Sequence, residues 1–253
     1  MDWEASVVGM FVGTLIGMTG MGAGSLLAPV LVLWFGVPPL QAVGSDLVYS
    51  AVTKSVGAFA HVRLQTVDFS AVGWMAAASV PVTIVAVWSV LTFGVLVPSL
   101  DHLVLRLLGI MVIVAGIVLL ARSAFTRQTT VTAHCGWLLG AGGALLGGIV
   151  GVTSAGSGTL GTALVSVATR LDARRVVGTV IVHAMILTLA AALMHLAFGS
   201  VRLALTASLL LGSIPGVVLG SRLTVRIPES MLRAILGTLL IALGLNVILR
   251  GGA

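Results

Sequence analysis

The chain has 253 residues, 58% of them hydrophobic and 8% charged, with a net charge of +6; its mean hydropathy is +1.20 and its pI near 11.3. A soluble domain carries about 25% charged residues, so an ordinary soluble fold is excluded. Several stretches reach the ~20 apolar residues that cross a bilayer, and none alternates strictly as a β-barrel strand does, which points to an all-α polytopic membrane protein.

The chain opens Met1-Asp2-Trp3-Glu4, with two acids and no basic segment, and does not read as a cleaved signal peptide. An apolar helix is expected over 5–18, ending in a glycine-rich loop from Thr19 to Ser25. A short apolar piece follows at 26–36, closed by Gly36, Pro38 and Pro39, and then long helices near 41–60, 69–94 and 103–121. After a linker at 123–135 the series restarts: a helix at 136–152, a loop from Thr153 to Gly158, a short piece at 160–169, and long helices at 174–197, 201–221 and 231–249. Eleven helical residues rise only ~16 Å, about half the hydrocarbon core. Each short piece therefore reads as part of a broken span or a re-entrant hairpin, tolerable only where protein or water satisfies its backbone.

The restart is a repeat. Shifted by 134 positions, residues 13–81 lie over 147–215 without a gap. Gly13, Gly17, Thr19, Gly22, Gly24 and Leu26 meet Gly147, Gly151, Thr153, Gly156, Gly158 and Leu160. Val43, Gly44, His61, Ser79 and Pro81 meet Val177, Gly178, His195, Ser213 and Pro215. The last helices match at an offset of 128, with Gly109, Gly116 and Arg122 over Gly237, Gly244 and Arg250. The expected organisation is a first transmembrane repeat at 1–122, a cytoplasmic linker at 123–135 and a second repeat at 136–253.

Arginines set the orientation. One side collects Arg63, Arg122, Arg127, Arg170, Arg174, Arg175, Arg222, Arg226 and Arg233, the other Arg106, Arg202 and Arg250. The arginine-rich side should be cytoplasmic, which puts both termini on the outer face of a cell inner membrane. The second half then enters upside down, giving two inverted repeats of the kind that support alternating access. This scatter also accounts for the basic pI without nucleic acid.

Two glycine-rich loops are the first candidate site. Helix N-termini carry partial positive charge and bind anions. Gly22, Gly24, Gly156 and Gly158 would let backbone approach a ligand, while Thr19, Ser25, Thr153, Ser154, Ser157 and Thr159 add hydroxyls. The competing reading of any single glycine is helix packing, because small residues four apart let helices approach closely. Asp46 and Lys54 lie inside one long helix, roughly 12 Å apart along it, so direct pairing is not expected. Intramembrane charges line a cavity or find partners; here Lys54 is expected to hold an anion and Asp46 to shape the pocket or accept a proton. Their repeat equivalents are Val180 and Thr188. Tyr49 and His183 are equivalent to each other, and a histidine at that depth either carries a proton or packs. His61 and His195 read as interfacial caps, and Pro81 and Pro215 as helix bends. Cys135 is alone, so neither disulfide nor cysteine metal cluster is expected. No P-loop and no cofactor motif appears.

Together the stretches GMTGMGAGSLLAPVL, AVGSDLVYSAVTKSVGAFAHVRLQTVDF, GVTSAGSGTLGTALV, RRVVGTVIVHA and GSIPGVVLGSRL resemble the TauE/SafE sulfite exporter family, also called the 4-toluene sulfonate uptake permease family. The resemblance covers nearly the whole chain. It implies a non-enzymatic membrane transporter of small sulfur-containing anions such as sulfite or organosulfonates. By motif position it places function on Gly22, Gly24, Ser25, Asp46, Lys54, Ser154, Gly156, Ser157 and Gly158. Relatives often carry an acid where Val180 stands here, which removes an acid-based role from that half. The expected partners are a small anionic substrate and the lipid bilayer, with a homodimer left open. Two other readings compete: a passive anion channel, and an intramembrane hydrolase with Ser157 as nucleophile, which needs His183 or His195 within hydrogen-bond reach.

Overall fold

A computed structural model describes residues 3–19, 25–96, 99–125, 135–224 and 228–250. Its ten helices are α1 (Trp3–Thr19), α2 (Leu27–Phe35), α3 (Pro39–Arg63), α4 (Phe69–Leu96), α5 (Ser99–Phe125), α6 (Gly136–Thr153), α7 (Thr159–Ala168), α8 (Ala173–Ala197), α9 (Leu203–Thr224) and α10 (Glu229–Arg250). Among the described residues there is no strand. Six helices, α4, α5, α6, α8, α9 and α10, are long and apolar enough to cross a membrane. The protein is thus multi-pass and all-helical. The helix expected near 41–60 is present as α3, but it is too polar to qualify on apolarity. Its Ser45, Asp46, Ser50 and Lys54 point into the protein instead of lipid.

Local sequence sets the element ends. Pro39 opens α3, where a missing N–H costs nothing. Asp172 caps α8 by accepting from the Arg175 amide at 2.9 Å. Gly36 closes α2 in the left-handed region at φ +58.

The helices pair across the two halves. α1 packs along α9, α6 along α4, α3 along α8 and α5 along α10. Glycines spaced four apart make the first two contacts. A Cβ on Gly9, Gly13 or Gly17 would collide with the backbone of Leu209, Ser213 or Val217, and one on Gly143 or Gly147 with that of Met75 or Ser79. Both numbers of each contact rise together, so α1 runs parallel to α9, and α6 to α4. By contrast Gly44 faces His195 while Gly178 faces His61, so α3 and α8 are antiparallel. So are α5 and α10, where Gly109 meets Gly244 and Gly116 meets Gly237. Gly13, Gly17, Gly147 and Gly151 thus follow the packing reading.

Polar ties repeat the same exchange. The Asp68 amide donates to Thr179 Oγ1 at 2.9 Å, and the equivalent Arg202 amide donates to Ser45 Oγ at 3.0 Å. His61 Nδ1 pairs with Thr66 Oγ1 and His195 Nδ1 with Ser200 Oγ, each at 2.8 Å. These histidines tie helix C-termini to the following turn. His195 is buried within the protein in the last turn of α8.

The short helices turn the chain back. The Cys135 amide, just before α6, donates to the Ala168 carbonyl at the end of α7, at 3.3 Å. The α6–α7 segment therefore starts and finishes at the same end of the bundle. In the first half, Ala5 near the start of α1 shares an apolar cluster with Val37, just past α2.

Candidate functional site

The α6–α7 break is built by two residues with positive φ. Ser154 closes α6 at φ +58, and Gly156 follows at φ +89. A side chain at Gly156 would be strained there and would also press on Leu160, 2.8 Å from its Cβ position. The break is buried. Thr153, Ser154, Ala155 and Ser157 are almost without solvent contact. Ala155 sits in an apolar cluster with Leu26 and Ala28 of the first half and with Leu108, Val112, Leu236 and Leu240 of the α5–α10 pair.

The two loop regions touch. The Gly156 amide donates to Ser25 Oγ at 3.1 Å, across 131 residues of sequence. Of the first loop, Gly22 and Gly24 lie outside the described residues, as does the side chain of Thr19. Ser25 is the part of that loop that the structure places.

Asp46 and Lys54 both face the second loop, from one side of α3. The Ser154 hydroxyl lies 2.6 Å from Asp46 Oδ2 and also 2.6 Å from the Thr153 carbonyl oxygen. Ser50 donates to Asp46 Oδ1 over a long 3.4 Å. One turn further on, Lys54 Nζ donates to Ser157 Oγ at 2.9 Å. The acid and the base are therefore held by two serines of one loop, and that loop lies in the opposite half of the chain. Both charges are buried. Ser50 is the site residue that the sequence reading missed. Its signal was spacing: Asp46, Ser50 and Lys54 are successive fourth residues, which share a helix face.

The start of α7 adds donors and acceptors. Gly158 occupies the N-cap position, and no side chain caps the helix there. The helix starts directly after Ser157, the residue that Lys54 holds; the Leu160 amide donates to the Gly156 carbonyl at 2.9 Å and the Thr162 amide to that of Gly158 at 3.0 Å. Thr162 Oγ1 donates back to the Gly158 carbonyl at 2.7 Å. The Thr159 hydroxyl is buried with no hydrogen-bond partner among the described residues. Thr153 Oγ1 donates to the Ile149 carbonyl at 2.7 Å and accepts from the Ala155 amide at 3.3 Å.

Tyr49 and His183 sit behind this contact. Tyr49 donates to Ser213 Oγ of α9 at 2.5 Å, and His183 Nε2 pairs with Ser79 Oγ of α4 at 2.9 Å. These two bonds are repeat equivalents, and each serine stands two residues before the proline inside its helix. His183 Nδ1 is buried without a partner. The hydrogen bonds of His183 and His195 go to Ser79 and Ser200; the neighbour of Ser157 is Lys54. The histidine-assisted nucleophile is not assembled.

What the site presents is a buried cation beside a helix start without a side-chain cap, an acid about two turns away along α3, and serine hydroxyls between them. The sulfite exporter TauE/SafE family model matches residues 5–247. The chain belongs to this family. It is 35% identical over 249 residues to "Probable membrane transporter protein YjnA" of Bacillus subtilis (strain 168), covering 96% of this chain and 98% of that protein. It is also 25% identical over 239 residues to "Probable membrane transporter protein YdhB" of the same organism, covering 90% and 92%. No solved structure matches significantly. The TauE/SafE chain is thus a multi-pass membrane protein of a transporter family.

Proposed function

We propose that this TauE/SafE protein is a secondary transporter of small sulfur-containing oxyanions such as sulfite or organosulfonates, with export as its working direction. Transport runs by alternating access around a midplane site between the two glycine-rich loops. One observation carries the reading: buried Lys54 reaches Ser157 at the uncapped start of α7, where the two loop regions meet. A fixed cation, amides at the helix start and hydroxyl donors together suit a small anion.

Alternating access needs two halves inserted with opposite orientation. The helix pairing supports that arrangement. Equivalent helices α3 and α8 run antiparallel, as do α5 and α10, and the α1–α9 contact has its counterpart in α6–α4. Such a bundle can trade one set of cross-half contacts for its equivalent. The arginine-rich end, which holds Arg63 and Arg175, is then cytoplasmic in the cell inner membrane, and the end with Arg202 and Arg250 faces outward.

Flux of radiolabelled sulfite into proteoliposomes is the test. It should fall about tenfold or more in Lys54→Ala, because the anion loses the charge that offsets its desolvation. Undiminished flux in a folded Lys54→Ala protein, or no movement of sulfite and sulfonates by the natural chain, would remove the reading.

A further inference from the structure

The charge balance of the site reaches further than its ligand; the inference rests on the transporter reading above. Asp46 and Lys54 are the ionisable pair at the contact between α3 and the second loop. Helices α2, α4, α6 and α7 carry no ionisable side chain. On α3 itself the nearest further group is Tyr49, which donates to Ser213. From α8 the mid-helix group is His183, with Arg174, Arg175 and His195 near its ends. α9 brings Arg222 in its last turn, and α5 brings Asp101, His102 and Arg106 near its start. α10, which meets the loop at Ala155, brings Arg233 in its second turn and Arg250 at its end, and α1 brings Glu4 in its first turn. Among the described residues, Lys54 is the lysine or arginine that sits in the middle of a helix.

With Asp46 ionised and Lys54 protonated, the empty site is neutral. A bound monoanion leaves one uncompensated negative charge in the protein interior, which the low dielectric there disfavours. A proton on Asp46 restores neutrality.

The hydrogen bonds around Asp46 have room for that proton. Ser154 Oγ lies 2.6 Å from two acceptors, Asp46 Oδ2 and the Thr153 carbonyl. A serine hydroxyl has one proton, so with an ionised carboxylate it serves only one of them. A protonated Asp46 donates to Ser154 Oγ, which frees the serine's own proton for Thr153. Both distances then belong to made O–H···O bonds.

We propose that each monoanion crosses with one proton, carried on the carboxylate of Asp46. The proton enters with the anion from the same side and binds Oδ2 while the anion binds Lys54. Both leave on the other side, and the ionised Asp46–Lys54 pair is restored. Both forms that reorient are neutral, so transport of a monoanion is electroneutral proton symport. Direction follows the sum of the anion and pH gradients. Export occurs when the internal excess of anion outweighs an acidic exterior, as in relief of an accumulated toxic anion.

The experiment uses proteoliposomes of the full chain with the membrane potential clamped. The probes are radiolabelled sulfite and methanesulfonate, whose sulfonate stays ionised across the pH range. Counterflow of labelled probe without a pH gradient reports transport alone. Accumulation under a pH gradient reports coupling. The natural chain should accumulate probe toward its alkaline side about tenfold per pH unit, whatever the clamped voltage. In Asp46→Asn, counterflow should continue at a reduced rate and the pH-driven accumulation should vanish. Counterflow with accumulation that follows voltage and ignores pH overturns the coupling and leaves the transporter reading standing. So does an Asp46→Asn protein that still accumulates with pH. Absence of counterflow for both probes removes the transporter reading and this inference with it. Where Asp46→Asn does not fold, the dependence of the natural chain on pH and voltage decides. If sulfite alone is moved, the difference between natural chain and variant decides, since the acid–base chemistry of the probe is the same in both.

Discussion

Helices α3 and α8 occupy equivalent places and share a polar frame, yet only α3 carries charge at mid-depth. The frame is kept closely: Ser45 and Thr179 accept equivalent amides, Tyr49 and His183 bond equivalent serines, and His61 and His195 tie equivalent turns. The difference is confined to one stripe. Asp46 and Lys54 on α3 stand where α8 has Val180 and Thr188. The polar frame is kept in both halves, and the buried charges stand in one of them. The charged stripe of the first half faces the loop of the second, so the site exists only when both halves are assembled.

The largest expected effect breaks this contrast directly. Lys54→Met leaves Asp46 buried without its counter-charge and should destabilise the protein by about 3–5 kcal/mol. Adding Asp46→Asn should recover most of that loss while sulfite flux stays low. Thr188→Val, at the equivalent place on α8, removes only back-bonds within its own helix, to the Ala184 and Met185 carbonyls, and should change stability by no more than about 0.5 kcal/mol. Thermal unfolding in detergent measures all three. Equal losses from Lys54→Met and Thr188→Val would show that the charges are not what distinguishes the two helices.

The second effect tests the shared frame. Gly13→Ala on α1 and Gly147→Ala on α6 each drive a methyl into the backbone of a parallel partner, at Ser213 and Ser79. Overpacking of this kind costs about 1–3 kcal/mol. The two losses should match, because the contacts are equivalent. A large loss at one and none at the other would mean that the halves no longer pack alike.

These contrasts bear on what could be read from the chain alone. Helix positions were legible because apolar length and glycine or proline punctuation are local signals. The 136–152 segment extends by one residue to Thr153, and the 69–94 segment by two to Leu96. The 41–60 segment extends by two residues at its start, to Pro39, and by three at its end, to Arg63, with His61 and Arg63 in the last turn of α3. The repeat was legible as matched letters. Partners were not. Ser154 meets Asp46 across 108 residues, and nothing local to either residue names the other. Glycines posed the same difficulty: Gly147 and Gly156 belong to one matched series, yet one packs a helix and the other turns a loop. Only φ and the nearest backbone separate those roles.

The smallest effect lies at the two ends of the bundle. Near Asp68, the Arg175 guanidinium approaches the carboxylate to 3.7 Å. The equivalent residues at the other end are Gln41 and Arg202, where Arg202 Nε donates to Gln41 Oε1 at 3.0 Å. One end is therefore closed by an ion pair and the other by a charged donor on a neutral acceptor. The pair is open to solvent on the Arg175 side and mostly covered at Asp68; solvent-screened pairs contribute about 0.2–1 kcal/mol and weaken as salt shortens the Debye length. Arg175→Gln should lower thermal stability by that small amount at low salt and by almost nothing near 1 M salt. Gln41→Glu nearly preserves side-chain shape and turns the other contact into an ion pair with Arg202. It should raise stability at low salt by a similar amount, with the same loss of effect at high salt. If Gln41→Glu gains nothing at low salt while Arg175→Gln still loses, the ends differ in geometry as well as charge, and the equivalence drawn between them stops short of the helix tips.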